Sequence, residues 1–271
     1  NTTHSSLPTN AYLRGIYVDN TNAQWVYGIE GIYEIKTDGS VNTFNQATSN
    51  KMLPNSINDL TKDSRGRVWA ATRDGLAYLE NNQWTTLRNR APFGRNVGGY
   101  IWYNSFNRVA SAPNNVVYAN SNDVAKILRY DGNEWSDITP PSTLYSSYLA
   151  IFNTDKSGNL YILSAEKNNR IGVYENGAWN EITIPNFTNN PNTYYRLFDN
   201  AGRIWLATWI PSQSNYDIAV FTSREDIKFL TTQISYVESS TGVTKTGFLT
   251  SFMNTILVGK KYTYFMGYNG L

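Results

Sequence analysis

Aromatic rings beside arginine are the side chains of this sequence best suited to binding another molecule. The chain has 20 Tyr and 8 Trp in 271 residues. The face of such a ring suits the apolar C–H patches of a sugar, and Tyr, Trp and Arg are also the usual anchors of protein interfaces. The sequence therefore predicts a site for an oligosaccharide or a protein partner. The candidate ligand-binding residues are Arg95, Tyr100, Trp102, Tyr103, Tyr145 and Trp209.

Catalytic chemistry has much weaker support in the residue types. The chain has one histidine, His4, in a polar terminal stretch, and it has no cysteine. Asp123, Glu166 and Asp217 could in principle form the pair of acids that glycoside hydrolysis needs, but their spacing selects no pair. We therefore predict no catalytic residue, no metal ligand and no cofactor.

A repeated phrase predicts the elements that must position these residues. The phrase at residues 63–69, Asp-Ser-Arg-Gly-Arg-Val-Trp, returns at residues 155–161 and 199–205, with a looser copy at 19–25. Internal repeats at blade-sized intervals are typical of a β-propeller. The aspartate can accept bonds from the backbone of its own turn, and glycine or asparagine supplies the positive φ that the turn needs. Asn22 and Asn114 or Asn115 are expected to replace the glycine in two copies.

The second copy predicts one complete blade of four short strands. The turn is expected at residues 63–67, and the recurring tryptophans are expected in the core between blades. The predicted strands are Ile57–Lys62, Val68–Thr72, Leu76–Glu80 and Trp84–Leu87.

The whole chain is accordingly predicted to be an all-β propeller of four-stranded antiparallel blades, with five full repeats and a partial sixth. It would form a single domain over residues 1–271, with residues 1–10 as a flexible tail. The second strand of the sixth copy is expected at Lys261–Phe265. We also expect the natural protein to continue past Leu271, since the last blade is incomplete. An unfinished blade has an open edge, which would favour a homodimer.

All variation in length falls at one end of the predicted blades. In an antiparallel blade, the second-to-third loops and the blade-to-blade connections share one end, which we call the variable end. The turns at the opposite end stay short. Long loops on a rigid scaffold are where binding usually occurs, although Tyr100, Trp102 and Tyr103 could instead begin an inner strand and pack. The long connections are predicted at Asn89–Tyr103, Asn120–Lys126, Pro140–Ser147, Ala165–Arg170, Asn186–Tyr194, Trp209–Tyr216 and Thr231–Lys245.

The residues from Ile57 to Leu79, followed by Asn81 to Leu87, resemble the two-component regulator propeller repeat. The resemblance extends over residues 13–271, with good copies in the first, second, fourth and fifth blades. That repeat builds the extracytoplasmic sensor region of hybrid two-component systems common in Bacteroidetes. The resemblance implies a periplasmic or surface module that binds a glycan breakdown product and signals across the inner membrane. Similar repeats occur in surface lipoproteins and secretion-system components.

Three hypotheses on function remain open at this point. The first is a glycan-binding sensor module, the second is a protein-interaction scaffold at the cell surface, and the third is a hydrolase or lyase. The net charge of +2, without a basic run, argues against a nucleic-acid partner. The sequence has no stretch of 18 apolar residues, so no membrane span is predicted.

Overall fold

A computed structural model of this protein describes part of the chain. Within that part, the regular elements are all β-strands. The described residues are 12–19, 21–87, 95–97, 100–102, 105–121, 126–145, 149–164, 170–183, 193–198, 203–210, 215–221, 227–230, 234–237, 244–247, 253–258 and 263–267. Within them, no helix is long and apolar enough to cross a membrane.

The strands follow one another in short antiparallel groups along the chain. Blade 1 consists of β1 (Leu13–Val18), β2 (Gln24–Gly28), β3 (Ile32–Ile35) and β4 (Val41–Phe44). Blade 2 consists of β5 (Ile57–Lys62), β6 (Val68–Thr72), β7 (Gly75–Glu80) and β8 (Gln83–Leu87). A hairpin of β9 (Arg95–Val97) and β10 (Tyr100–Trp102) precedes blade 3, which consists of β11 (Phe106–Ser111), β12 (Val117–Ser121), β13 (Lys126–Tyr130) and β14 (Trp135–Asp137).

The same order continues through the second half. Blade 4 consists of β15 (Leu149–Thr154), β16 (Leu160–Ser164), β17 (Arg170–Glu175) and β18 (Ala178–Thr183). Blade 5 consists of β19 (Thr193–Phe198), β20 (Ile204–Ile210), β21 (Asn215–Phe221) and β22 (Ile227–Leu230). Two further hairpins are β23 (Ile234–Val237) with β24 (Thr244–Gly247), and β25 (Met253–Val258) with β26 (Thr263–Gly267).

Each of the five four-stranded sheets pairs its strands in sequence order, and every pair is antiparallel. The prediction of four-stranded antiparallel blades is therefore confirmed. In blade 2 the first two strands have the predicted bounds, and the other two begin one residue early. In the sixth copy, β26 starts two residues later than predicted.

The chain divides into two compact units, residues 1–140 and residues 141–271. The N-terminal unit holds blades 1 to 3, and the C-terminal unit holds blades 4 and 5 with the last two hairpins. Within the N-terminal unit, β5 packs beside β1 and β11; within the C-terminal unit, β19 packs beside β15 and β25. The first strands of successive blades thus neighbour one another, as the inner strands of a propeller do.

Tryptophans of the repeated phrase lie in the core between blades, as predicted. Trp69 is only 1% exposed, and its ring contacts those of Tyr78, Tyr130 and Trp135 at centroid distances of 4.9 to 5.8 Å. The buried guanidinium of Arg67 lies 5.1 Å from the Trp69 ring, close enough for a cation–π contact. Blades 2 and 3 are therefore joined through an aromatic cluster centred on Trp69.

The turn of the repeated phrase is held by its aspartate. In blade 2, Asp63 Oδ1 accepts bonds from the amides of Arg65 and Arg67, both at 3.0 Å. Its Oδ2 accepts bonds from Arg67 Nε at 2.7 Å and from Trp69 Nε1 at 2.8 Å. The aspartate therefore links the turn to the strand that follows it.

The fourth residue of the turn has a positive φ in each described copy, although the turn of blade 3 begins with Ala112 in place of the aspartate. The predicted use of asparagine in place of glycine is confirmed, since Asn22 and Asn115 hold this position with positive φ. The residues at the equivalent position are Asn22 (φ 64°), Gly66 (φ 85°), Asn115 (φ 63°) and Gly158 (φ 91°).

Two of the predicted long loops contain additional strands. The hairpin β9–β10 lies inside the predicted loop at residues 89–103, and β23–β24 lies within residues 231–247. In blade 5 the predicted loop at residues 209–216 is shorter, because β20 extends to Ile210 and β21 begins at Asn215. Gly98-Gly99, followed by the apolar Tyr100-Ile101-Trp102, is a two-residue hairpin signal that would have revealed β9–β10.

Candidate functional site

The structure places three of the predicted ligand-binding residues in one hairpin. Arg95 in β9 is directly opposite Trp102 in β10, and Tyr100 is opposite Val97. Opposite residues in an antiparallel pair stand side by side along the ladder. The backbone register therefore supports a local group of Arg95 with Trp102.

The remaining predicted residues lie elsewhere in the chain. Trp209 lies in β20 opposite Tyr216, one residue before the end of the strand. Tyr145 is only 8% exposed, so its ring packs inside the protein and offers little surface to a ligand. Tyr103 lies outside the described residues.

The candidate acids do not form a described group. Asp217 lies in β21, whereas Asp123, Glu166 and His4 lie outside the described residues. Across the described part of the chain, no cluster of three or more His, Cys, Asp or Glu could hold a metal ion.

A feature that the sequence did not predict recurs in the first strand of all five blades and in β25, the first strand of the last hairpin. Each first strand has a β-bulge near its start, where one residue is skipped in the pairing with the second strand. Because each first strand begins at a blade-to-blade connection, all the bulges lie at the variable end. Bulges redirect side chains and are common beside binding sites. The skipped residues are Arg14, Asn58, Asn107, Ala150, Tyr194 and Asn254.

In the N-terminal unit, side chains at these bulges connect one blade to the next. Arg14 Nη1 donates hydrogen bonds to Asn58 Oδ1 and, at 3.4 Å, to the backbone oxygen of Ile57. Asn58 Nδ2 in turn donates to the backbone oxygen of Phe106 at 2.7 Å. Arg14 is exposed, whereas Asn58 and Asn107 are half-buried. The bulges of blades 1 to 3 thus form a row of polar side chains, which we call the bulge row.

Next to the bulge row, Asp59 joins all three blades of the N-terminal unit. Its Oδ1 accepts a bond from the Tyr27 hydroxyl at 3.2 Å, and its Oδ2 accepts one from the Val109 amide at 3.1 Å. The Tyr27 hydroxyl occupies the space that a Cβ at Gly15 would need, so a side chain at this position would displace the Tyr27 ring.

Burial raises the pKa of the Asp59 carboxyl, although the positive charge of Arg108 acts in the opposite direction. Burial and the neighbouring Asp59 carboxylate raise the pKa of the Tyr27 hydroxyl. An acid that is more easily neutralised than usual therefore follows Asn58, the partner of Arg14, in the chain. The sequence alone did not reveal this group, because a bulge has no residue signature that would bring Arg14 and Asn58 together.

Comparison with known proteins shows what the repeat and the fold are similar to. Residues 51–74 match the family model for the two component regulator propeller. Among curated proteins, none matches the chain significantly.

Solved structures with the same architecture share few residues with this chain. Virginiamycin B lyase from Staphylococcus aureus is 17% identical with a TM-score of 0.61, over 96% of this chain and 94% of the lyase. The extracellular domain of a hybrid two component system from B. thetaiotaomicron is 15% identical with a TM-score of 0.61, over 96% of this chain but 32% of that domain. YCF48 bound to a D1 peptide is 16% identical with a TM-score of 0.54, over 83% of this chain and 70% of YCF48. The chain therefore has the β-propeller fold, and its residues 51–74 are similar to the two component regulator propeller repeat.

Proposed function

We propose that this chain is a ligand-binding sensor propeller that works outside the cytoplasm and recognises an oligosaccharide. The observation that carries the proposal is the match of residues 51–74 to the regulator propeller repeat. The likeness to an extracellular domain of a two component system supports it, and that likeness is also the reason to propose a location in the periplasm or at the cell surface. The chain spans about a third of that domain, so the proposal concerns binding by this part.

The variable end of the blades is the proposed binding surface. The connections between first and second strands are five residues long in blades 1 to 5, at residues 19–23, 63–67, 112–116, 155–159 and 199–203. The shortest blade-to-blade connection spans residues 184–192 and the longest spans residues 231–252. Two of these connections contain hairpins. The greatest variation in length therefore lies in the blade-to-blade connections at this end, and long connections on a constant scaffold are where binding usually occurs.

A thermal-shift screen of the purified chain against neutral and acidic oligosaccharides tests the proposal. A ligand that binds only the folded state raises the melting temperature, so one class of glycan should give a shift that grows with concentration. Calcium chloride serves as the control and should give no shift. If no oligosaccharide changes the melting temperature and calorimetry detects no heat of binding, the glycan proposal is wrong.

A protein-interaction scaffold is the second candidate. It is favoured by the likeness to YCF48, which was solved with a bound peptide, and by the hairpin β9–β10 with its Arg95 and Trp102 pair. An extended peptide could add to the edge of such a hairpin. Under this alternative, Arg95→Ala and Trp102→Ala would reduce capture of a purified partner, while the thermal-shift screen would show no effect of sugars.

The likeness to the lyase supports the fold and gives no separate support for catalysis at this identity. The lyase neighbour was made catalytically inactive by a histidine-to-alanine change, whereas the one histidine of this chain is His4. We therefore propose a module without catalytic activity. Incubation of the chain with quinupristin should leave the compound intact.

A further inference from the structure

We infer that the bulge row of the N-terminal unit binds an acidic group of the ligand, a carboxylate or sulfate carried on a sugar. The inference deepens the proposed function and rests on it. It is carried by the exposed guanidinium of Arg14, which hydrogen bonds across the inner strands orient.

Hydrogen bonds hold one nitrogen of the Arg14 guanidinium, and within the described residues the other two nitrogens make none. Within the described residues, both hydrogen bonds of its guanidinium come from Nη1. A guanidinium has five N–H donors in a planar fork that matches two oxygens of an acid group. Nη2 and Nε are therefore the donors that Arg14 can offer to a ligand.

The partners of Arg14 hold it without neutralising it. Asn58 and the Ile57 backbone contribute neutral oxygens, and the Asn58 amide is itself fixed by Phe106. An arginine that served mainly to stabilise the fold would usually pair with a carboxylate. Neutral hydrogen-bond acceptors thus orient the Arg14 guanidinium, and its positive charge remains available to a ligand.

The surrounding charges also favour an anion. Arg108 lies on the third blade, close enough to Asp59 for its charge to affect that carboxyl. Asp59 is already engaged by the Tyr27 hydroxyl and the Val109 amide. Arg108 thus offsets the charge of the Asp59 carboxyl, which burial already disfavours, and leaves the positive charge of Arg14 in excess.

Neutral amides at the other bulges would suit the rest of an acidic sugar. Asn58 and Asn107 occupy equivalent skipped positions in neighbouring blades. Amide side chains offer both donors and acceptors, which is what sugar hydroxyls require. The combination of one oriented guanidinium and a row of amides favours a charged sugar over an uncharged one.

Calorimetric titration with matched sugars tests the inference. The probes are trigalacturonate, its methyl ester, a sulfated galactose trisaccharide and galactotriose, each titrated into the intact chain. We expect the carboxylated or the sulfated sugar to bind at least tenfold more tightly than its uncharged counterpart. The comparison of the two acids identifies which acid group the site prefers.

Three variants locate the site. Arg14→Ala should weaken binding of the acidic sugar about tenfold or more, because a hydrogen bond to a charged group is lost. Arg14→Lys should be intermediate, since an ammonium retains the charge and loses the fork. Arg65→Ala removes the same charge from an exposed turn at the opposite end of the blades and should leave the affinity within about twofold. Circular dichroism melts check that each variant is folded.

The outcomes separate this inference from the proposed function. Binding of neutral sugars alone, or equal binding of acidic sugar by Arg14→Ala and the natural chain, would overturn the inference and leave the sensor proposal standing. Failure of every sugar to bind would overturn both. Tighter binding of an acidic sugar that depends on Arg14 supports both.

Discussion

At the scale of single residues, the aspartate of the repeated phrase has the same role in each turn but different partners. Asp63 is buried and bonds the charged Arg67 and the Trp69 indole. Asp155 bonds the neutral Asn159 amide at 2.9 Å and the Tyr161 hydroxyl at 3.2 Å, in a half-buried setting. Repetition of a motif therefore does not imply equal contributions to stability.

Asp63→Asn should destabilise the protein by about 3 kcal/mol, because it leaves the charge of buried Arg67 without its partner. Asp155→Asn is the matched control, with an expected cost of about 1 kcal/mol, since it weakens hydrogen bonds to neutral groups only. Urea unfolding at pH 7 measures both values. Equal losses in the two variants would contradict the role given to the Arg67 charge.

A second ion pair joins blade 2 to the first turn of the chain. Lys62 Nζ lies 2.7 Å from Asp19 Oδ2, and the Asp19 side chain is only 1% exposed. Lys62→Met should cost about 2–3 kcal/mol, because the buried carboxylate of Asp19 loses its counter-charge.

The exposed pair of Lys126 and Asp137 offers the comparison for that prediction. Its atoms are as close, at 2.6 Å, but both side chains are about 40% exposed. Lys126→Met should change the free energy of unfolding by less than about 1 kcal/mol. The prediction for Lys62 is wrong if the two methionine variants unfold at the same urea concentration.

At the scale of elements, the Asp–Gly turn depends on backbone conformation more than on space. Gly66 has φ 85°, and a Cβ there would meet nothing within 4 Å. Gly66→Asn should cost less than about 1 kcal/mol, because Asn22 and Asn115 already adopt this conformation in other copies. Gly66→Val should cost about 2 kcal/mol, since a β-branched residue rarely adopts positive φ. Thermal melts of the two variants test this, and similar melting temperatures would exclude conformational strain.

The sequence predicted the blades because the features that define them are local. The turn between β5 and β6 is specified by Asp63 and Gly66, and the strand after it by Trp69. These signals lie within seven residues of one another, so they can be read without knowledge of the fold. The bounds of β5 and β6 agree with the prediction for that reason.

The candidate site was harder to predict from the sequence, because it depends on contacts between distant parts of the chain. Arg14 bonds Asn58, and Asn58 bonds Phe106, across separations of more than 40 residues. No pattern among neighbouring residues in the sequence predicts those pairs. The burial of Tyr145 illustrates the same limit, because aromatic residues near a loop look alike in sequence whether they pack or face solvent. The six predicted ligand-binding residues remain predictions for mutagenesis.

At the scale of the whole molecule, stability against pH combines two carboxyl groups with opposite effects. Burial alone would raise the pKa of Asp19, but bonds from Lys62, Thr21 and Trp25 outweigh it and lower that pKa. Asp19 therefore stabilises the fold above the ordinary pKa of an aspartate, about 4, and this contribution is lost as the pH falls below it.

The pKa of Asp59 is raised, mainly by burial, so the folded state holds this proton more tightly than the unfolded chain. The fold then loses stability as the pH rises from about 4 through the raised pKa.

Asp59→Asn separates the two effects. An asparagine can accept the bond from the Val109 amide through its oxygen and donate to the Tyr27 hydroxyl through its nitrogen, so both contacts remain available. The variant should gain stability relative to the natural chain as the pH rises above about 4, because it has no proton to release. Below that pH the two proteins should differ by a constant amount, and both should still lose stability on acidification through Asp19. Urea unfolding at intervals from pH 3 to pH 8 measures the difference. Parallel curves across this range would show that Asp59 titrates in the fold as it does in the unfolded chain, and the raised pKa assigned to Asp59 would then be wrong.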